Sequence, residues 1–244
     1  MRGGPESRDG DMTDESIRAG ISRGLSLLCQ NDARAEALIA PRMESAVSLL
    51  AAYVREIAIF NPALSLVGTS DARELVSRHI LDSLAPLGII AGMLDGAGPA
   101  HIADVGSGAG LPGIPLAIAM PDARFTLIER KGRRAGFLRS ALETLGLANA
   151  SVEEAEMEKA KPRRFALATF RAFRPLEPKI YGKLARLCAG GGALAAYKGR
   201  RAKTEAEMAA LENALPSLAG RWELLPCPVP GLEEERHLLA IRPV

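Results

Sequence analysis

The period of hydrophobic and polar positions changes partway along the chain. From about Ile17 to Phe60, apolar residues recur at three- and four-residue steps. Leu38, Ile39, Met43, Val47, Leu50, Ala51 and Val54 form one stripe, the pattern of helices that bury a single face. Asn61-Pro62 is expected to stop the last of these helices. A further helix is expected from about Asp71 to Ile90, with Gly68-Thr69-Ser70-Asp71 supplying turn and capping chemistry. From His101 onward short apolar runs alternate with amphipathic ones. Strands are expected near 101–105, 124–129, 150–154, 165–170, 192–198, 221–226 and 236–241, and helices near 113–120, 133–146, 176–188 and 202–214. Crossover helices between short apolar strands imply a mostly parallel, doubly wound sheet. The last two strands are joined by Pro226-Cys227-Pro228-Val229-Pro230-Gly231, too short for a crossover, and should pair antiparallel at the sheet edge. The expected α/β organisation is a loose tail over 1–16, a helical addition over 17–95 and a sheet-based core over 96–244, packed as one unit.

Chemistry concentrates where the first strand ends. Ala103-Asp104-Val105-Gly106-Ser107-Gly108-Ala109-Gly110 leads into Leu111-Pro112-Gly113-Ile114, which reads as strand, glycine turn and helix. Glycines there let a ligand approach the backbone, and the helix start offers free N–H groups. The second apolar strand ends in Glu129, 19 residues after Gly110, where a carboxylate can accept hydrogen bonds from ribose hydroxyls. The position that would carry the third glycine of a dinucleotide fingerprint is Leu111. The D-x-G-x-G-x-G form, with Asp104 leading, instead resembles the first motif of class I S-adenosylmethionine-dependent methyltransferases; a nicotinamide or flavin site is the lesser reading. Ligands of such sheets lie beyond the carboxyl ends of the strands. That rule gathers Asp104 to Gly110, Glu129, the turn near Met157-Glu158, the segment after Phe170, and Lys198.

Composition narrows the setting. The chain has 244 residues, 48% of them hydrophobic, enough for a full core. The longest nearly uncharged apolar stretch, Leu84 to Leu94, is too short to span a bilayer, and Met1 to Glu15 is polar with no signal-peptide pattern. A cytoplasmic protein without a membrane partner is expected. Cys29, Cys188 and Cys227 have no metal-ligand spacing, so reduced thiols and no metal are expected. Net charge is only +2, yet Arg130 to Lys203 holds 18 Lys/Arg against 6 Asp/Glu, which leaves about −10 on the remainder. A polyanion would select such a segment, because each neutralised phosphate releases counterions; solvated helix faces are the plainer explanation.

The acceptor can be narrowed by what is missing. Methylation of an exocyclic amine usually calls for an Asn/Asp-Pro-Pro-aromatic turn after the fourth strand, but Thr169-Phe170-Arg171-Ala172-Phe173-Arg174 stands there. Pyrimidine C5 chemistry needs a cysteine nucleophile near the same place, and Cys227 is expected on the far sheet edge. A ring nitrogen, an oxygen or a small molecule remains. Arg171, just past a strand in the crevice, can meet a carboxylate, a phosphate or a guanine edge; the alternative is an ion pair with a glutamate at 153–158. Phe173 and Tyr197 could stack on a base or simply fill the core. Lys198-Gly199-Arg200-Arg201 could grip phosphate or be a solvated strand end. His79, Asp82 and Ser83 share a helical face and could form a local hydrogen-bonded cluster.

Taken together, Arg78-His79-Ile80-Leu81-Asp82-Ser83-Leu84, the run Asp104 to Leu116 with its proline-containing extension, Arg171-Ala172-Phe173 and Tyr197-Lys198-Gly199-Arg200 resemble the RsmG family, also called GidB. The resemblance covers roughly Asn61 to the C-terminus. It implies a class I, Rossmann-like methyltransferase fold with an N-terminal helical addition. It also implies methylation of N7 on a guanine (position 527, in the 530 loop) of 16S rRNA, with S-adenosylmethionine as cofactor. Partners implied are the 16S rRNA, or a 30S subunit or assembly intermediate, met by a monomer. Carried over by position, Gly106 and Leu111 contact the cofactor, Met157-Glu158 hold its adenine edge, and Arg171 lies between cofactor and RNA. Asp104, Gly108, Gly110 and Glu129 complete the expected cofactor set. Arg78, His79, Arg174, Lys198, Arg200 and Arg201 join Arg171 in the expected RNA set. The chain departs from the family at Ala155-Glu156-Met157-Glu158, which lacks the usual Arg, and at Glu129-Arg130, where the family tends to have Asp-Ser. A non-catalytic RNA-docking protein and a small-molecule methyltransferase are the rival readings.

Overall fold

Seven strands form one sheet in the order β3-β2-β1-β4-β5-β7-β6. They are β1 (His101–Val105), β2 (Arg124–Glu129), β3 (Ala150–Glu154), β4 (Phe165–Arg171), β5 (Cys188–Lys198), β6 (Trp222–Pro226) and β7 (His237–Ile241). The first five pair in parallel and β7 runs antiparallel to both β5 and β6. This computed structural model describes residues 13–96, 100–172 and 174–243. Phe173 and most of the expected tail, residues 1–12, lie outside the described residues. The chain order reverses between β1 and β4, which opens a crevice at their carboxyl ends.

Strand periodicity sorts side chains to two faces. Ile102, Leu127, Leu167 and Leu238 point into one apolar cluster, while Ala103, Ile128, Ala168 and Leu239 point into the other. The first face is covered by α7 (Gly113–Ala119), α8 (Gly132–Leu145) and the N-terminal helices. The second is covered by α9 (Pro178–Ala185) and α10 (Arg201–Ala214). With both faces buried, the central strands carry little polar surface.

The N-terminal layer consists of α1 (Asp14–Asn31), α2 (Ala33–Ile39) and α3 (Met43–Leu64), followed by α4 (Ala72–Glu74), a π-helical turn Leu75–Leu81, α5 (Asp82–Leu84) and α6 (Leu87–Met93). Two elements of this layer differ from the sequence expectation. Asn61-Pro62 does not stop α3, which runs on to Leu64 and ends with Ser65 at φ 48°. Pro62 sits in the last turn, where little of the helical ladder follows it. Asn61 is instead buried, accepting from Val67 N at 2.9 Å and donating to Thr69 O at 2.9 Å. The expected helix from Asp71 to Ile90 starts as foreseen, with Asp71 accepting from Glu74 N at 2.9 Å. It then widens into the π-helical turn and is interrupted at Ala85-Pro86. Residues Ala33–Leu64 also make a run long and apolar enough to cross a membrane by length and composition alone. In this fold the buried face of α3 packs into the cluster shared with α1, α7 and α8.

Candidate active site

The glycine turn after β1 is strapped from three sides. Gly106 N and Ser107 N both donate to Ile128 O, at 2.9 and 3.1 Å. Glu129, 5% exposed, accepts from Gly108 N at 2.9 Å through Oε2 and from Lys131 N at 2.8 Å through Oε1. From below, Asp104 Oδ2 accepts from Ser107 Oγ at 2.5 Å and Gly113 N at 3.1 Å. Asp104 is 1% exposed and its Oδ1 has no hydrogen-bond partner among the described residues. Burial pushes its carboxyl up to about 6, against the opposing pull of those two hydrogen bonds. Asp104 therefore lies beneath the turn and acts on any ligand through the backbone it holds.

The helical layer contributes the third strap. Tyr53 of α3 is fully buried and donates its hydroxyl to Ala109 O at 2.5 Å. Gly110 sits beside it at φ 89°, and a Cβ there would come within 2.9 Å of Tyr53 Oη and 2.6 Å of Ile114 Cδ1. Only glycine fits that position. A Cβ on Gly108, by contrast, would meet nothing closer than 3.8 Å, so the turn's outer rim is bare backbone that a ligand can approach. Leu111 is buried behind it.

The turn after β3 closes the crevice, with Ala155 N donating to Glu129 O at 3.1 Å. Met157 is buried and its carbonyl accepts from Arg186 Nη2 at 3.2 Å. Glu158 is exposed, paired to Lys183, with its carboxyl held below the usual range chiefly by that hydrogen bond.

Arg171 ends β4 and is followed by Ala172 at φ 51°, a conformation that non-glycine residues adopt mainly where the surroundings impose it. Its partner is not one of the glutamates at 153–158 but Asp82, at 2.7 Å from Nη1. Nη1 also donates to Arg78 O at 3.3 Å, and Nη2 lies 3.2 Å from His79 Nδ1. Asp82 Oδ1 binds a second guanidinium, Arg236 Nε, at 2.8 Å. The block read in the sequence as a local cluster keeps a local bond, Ser83 Oγ donating to His79 O at 2.6 Å, and adds these long-range ones, with the π-helical turn aiming Arg78 and His79 at the end of β4. Burial, followed by the Arg171 charge, lowers the His79 pKa to about 4, so the neutral ring accepts from Arg171. Of the five guanidinium N–H groups of Arg171, Nε–H and one on Nη2 keep no partner among the described residues. A cleft of about 430 Å³ adjoins this cluster, lined by Arg78, His79, Asp82, Arg171, Tyr197 and Arg236 among others.

Several expected site residues are otherwise engaged. Lys198 does not face solvent: both carboxylate oxygens of Glu207 hold its ammonium, at 2.7 and 2.9 Å, and its side chain is 14% exposed. Arg201 binds Glu205 and Leu224 O, and Arg78 binds Glu74 and Glu234. Tyr197 donates to Ser83 O at 2.7 Å instead of standing free as a stacking platform. Cys227 lines the cleft beside Arg171, nearer than the sheet-edge reading placed it, but burial pushes its thiol up to about 12, leaving no thiolate for attack. Arg174 and Arg200 are exposed without ion pairs among the described residues, as are Arg130, Lys131, Arg133 and Lys203, all at the carboxyl end of the sheet. Tyr53, Arg236 and Glu207 were not singled out in the sequence. Tyr53 alone carried a signal, since it lies on α3 beside the stripe residue Val54.

The crevice suits an adenosyl sulfonium ligand. Glu129 keeps free lone pairs for ribose hydroxyls, the turn exposes backbone, and Arg171 has donors for a carboxylate. Comparison with known proteins agrees. The family model described as rRNA small subunit methyltransferase G matches residues 46–221. The Ribosomal RNA small subunit methyltransferase G of Xanthomonas axonopodis pv. citri is 38% identical over 232 residues, 95% of this chain and 99% of that one. Its counterpart in Treponema pallidum (strain Nichols) is 38% identical over 199 residues, covering 80% and 84%. Among solved structures, a predicted O-methyltransferase of Agrobacterium tumefaciens aligns at TM-score 0.50 and 22% identity, over 68% of this chain and 81% of that one. A tRNA (m1A58) methyltransferase of Aquifex aeolicus aligns at TM-score 0.50 and 14% identity, over 67% and 68%. These two share the fold. On the strength of the sequence matches, the chain belongs to the rRNA small subunit methyltransferase G (GidB) family.

Proposed function

We propose that this chain methylates N7 of a guanine in the 530 loop of 16S rRNA, using S-adenosylmethionine. When bound, that cofactor supplies an electrophilic methyl carbon on a sulfonium centre. An N7 acceptor would take the methyl group on its own lone pair as the carbon–sulfur bond breaks and a neutral thioether leaves, so no residue has to remove a proton, and the chain's task is alignment. That agrees with a site whose titratable groups are buried or paired. Glu129 accepts from the ribose hydroxyls, and the backbone from Gly106 to Leu111 shapes the bend of the ligand. Met157 and Glu158 border the adenine. Arg171 uses its two remaining N–H groups where cofactor and base meet, one of them suited to guanine O6.

The observation that carries this reading is Arg171 itself, held at 2.7 Å by Asp82 between the glycine crevice and the adjoining cleft. Exposed Arg130, Lys131, Arg133, Arg174, Arg200 and Lys203 around that end of the sheet favour a phosphate-rich substrate. We extend the proposal to a monomer that acts in the cytoplasm, without a metal ion, on the 30S particle or an assembly intermediate. The test is transfer of labelled methyl groups to small-subunit RNA and 30S particles from cells lacking the modification. Transfer by the parent chain and its loss in Arg171→Ala at saturating cofactor are expected. RNA-independent turnover on small molecules would overturn the reading.

A further inference from the structure

A wide trough lies away from the glycine turn. It opens at the amino ends of the strands, with a volume of about 1230 Å³. A five-residue strand such as β1 spans about 17 Å, so this trough lies on the opposite side of the sheet from the crevice. Its basic wall is assembled from separate strands: Arg124 opens β2, Arg221 precedes β6, Arg242 follows β7 and Arg164 precedes β4. Arg124, Arg221 and Arg242 are exposed and have no ion pair among the described residues. Arg164 is bound to Glu153 at 2.9 Å and lies over the Phe165 ring at 4.5 Å, while its buried Nε has no partner among the described residues.

Among the described residues the acidic lining is thin. Asp95 is already paired to Arg34, which leaves Glu223. His101, on the floor, feels the resulting field: after burial, Arg164 and Arg124 are the largest causes lowering its pKa. The floor also includes Gly190 and Gly191, where an added Cβ would meet nothing within 4 Å. The trough is therefore wide, open and bare along one side, with guanidinium groups along its rim.

We propose that this trough binds the sugar-phosphate backbone of a second rRNA segment, distinct from the one that presents the target base. The inference rests on the rRNA-methyltransferase reading. An open trough with three free guanidinium groups from three strand ends fits an extended polyanion better than a small ligand, which binds where it can be enclosed. Arginine in particular matches phosphate oxygens two at a time. Its arginines lie outside the basic segment Arg130 to Lys203 except for Arg164, so they give the RNA a second basic face to touch.

The test uses the full chain with R124Q/R221Q/R242Q combined, all at exposed positions, and small-subunit RNA. Three lost phosphate contacts should raise KM for the RNA about tenfold or more at physiological salt and flatten the slope of log affinity against log salt by about 2 to 3. The kcat and the affinity for S-adenosylmethionine should stay within about twofold, and R124K/R221K/R242K should restore RNA affinity. Unchanged KM and slope would overturn the proposal, as would a lysine variant impaired as much as the glutamine one. RNA affinity measured directly by fluorescence anisotropy should move in step with KM, without any need for turnover. If the parent chain binds RNA through the trough but methylates none, the functional reading fails while the trough stands. Saturable binding of ATP abolished by the glutamine variant, with RNA affinity untouched, would assign the trough to a nucleotide instead.

Discussion

Asp104 should make the protein less stable as pH rises through the mildly acidic range, and Asp104→Asn should remove that dependence. The carboxyl is 1% exposed, with one oxygen committed to Ser107 and Gly113 and the other unpartnered among the described residues. Burial carries it from 3.8 to about 6. The unfolded chain therefore gives up this proton first as pH rises, and stability present below about pH 4 is lost by the time pH passes 6. At about 1.4 kcal/mol per tenfold change, the loss amounts to about 3 kcal/mol. Asparagine can still accept from Ser107 and Gly113, and its amide nitrogen takes the place of the unpartnered oxygen. The net change at neutral pH should be small, because relief of the buried charge is offset by an unpartnered N–H₂. Urea denaturation of both proteins from pH 4 to 8 isolates the effect, since every other titrating group is common to the pair. The parent should lose about 3 kcal/mol relative to the variant across about pH 4 to 6.5. Parallel curves would refute the reasoning.

Tyr53→Phe removes the donor to Ala109 O and leaves a buried carbonyl unsatisfied, a cost of about 1–3 kcal/mol; calorimetry should show S-adenosylmethionine binding about tenfold weaker or more, and unchanged affinity would reduce Tyr53 to packing. Arg171→Ala should abolish methyl transfer yet fold, because Asp82 keeps Arg236 at 2.8 Å; near-parental turnover at saturating cofactor would remove Arg171 from the reacting centre. Lys198→Ala should lower stability without changing the salt dependence of RNA binding, since Glu207 already neutralises it, whereas Arg200→Ala should flatten that slope by about 0.7–0.9. His79 should stay neutral down to about pH 4 with its proton on Nε2. Its folded pKa lies below the unfolded value, so stability present above about pH 6.5 is lost as pH falls toward 4. NMR titration of the ring reads the midpoint, and one near the ordinary histidine value of about 6.5 would contradict the geometry.

Strand positions were legible because buried strands repeat every two residues and are punctuated by glycine and proline. β5 begins earlier than the expected 192, at Cys188, and runs through Gly190-Gly191-Gly192, which offer no side-chain alternation to read; the pairing with β4 shifts register there between Phe165 and Leu167. The glycine turn and Glu129 were legible because their spacing is local. The contacts that organise Arg171 were not. Asp82 lies 89 residues before it, Arg236 lies 154 residues after Asp82, and Tyr53 reaches Ala109 across 56. No periodicity encodes such pairings. Lys198 misled for the same reason: a lysine at a strand end looks solvated until the helix that follows brings Glu207 back against it.

On this reading the crevice presents a methyl group to a purine ring nitrogen of the small-subunit RNA. Chemical cleavage at N7-methylguanine in 16S rRNA, with and without this protein, is the decisive measurement. Cleavage at a single guanine of the 530 loop, appearing only with the active chain, is the predicted result. Methyl incorporation with no cleavage at that guanine would place the methyl group on another atom or another base.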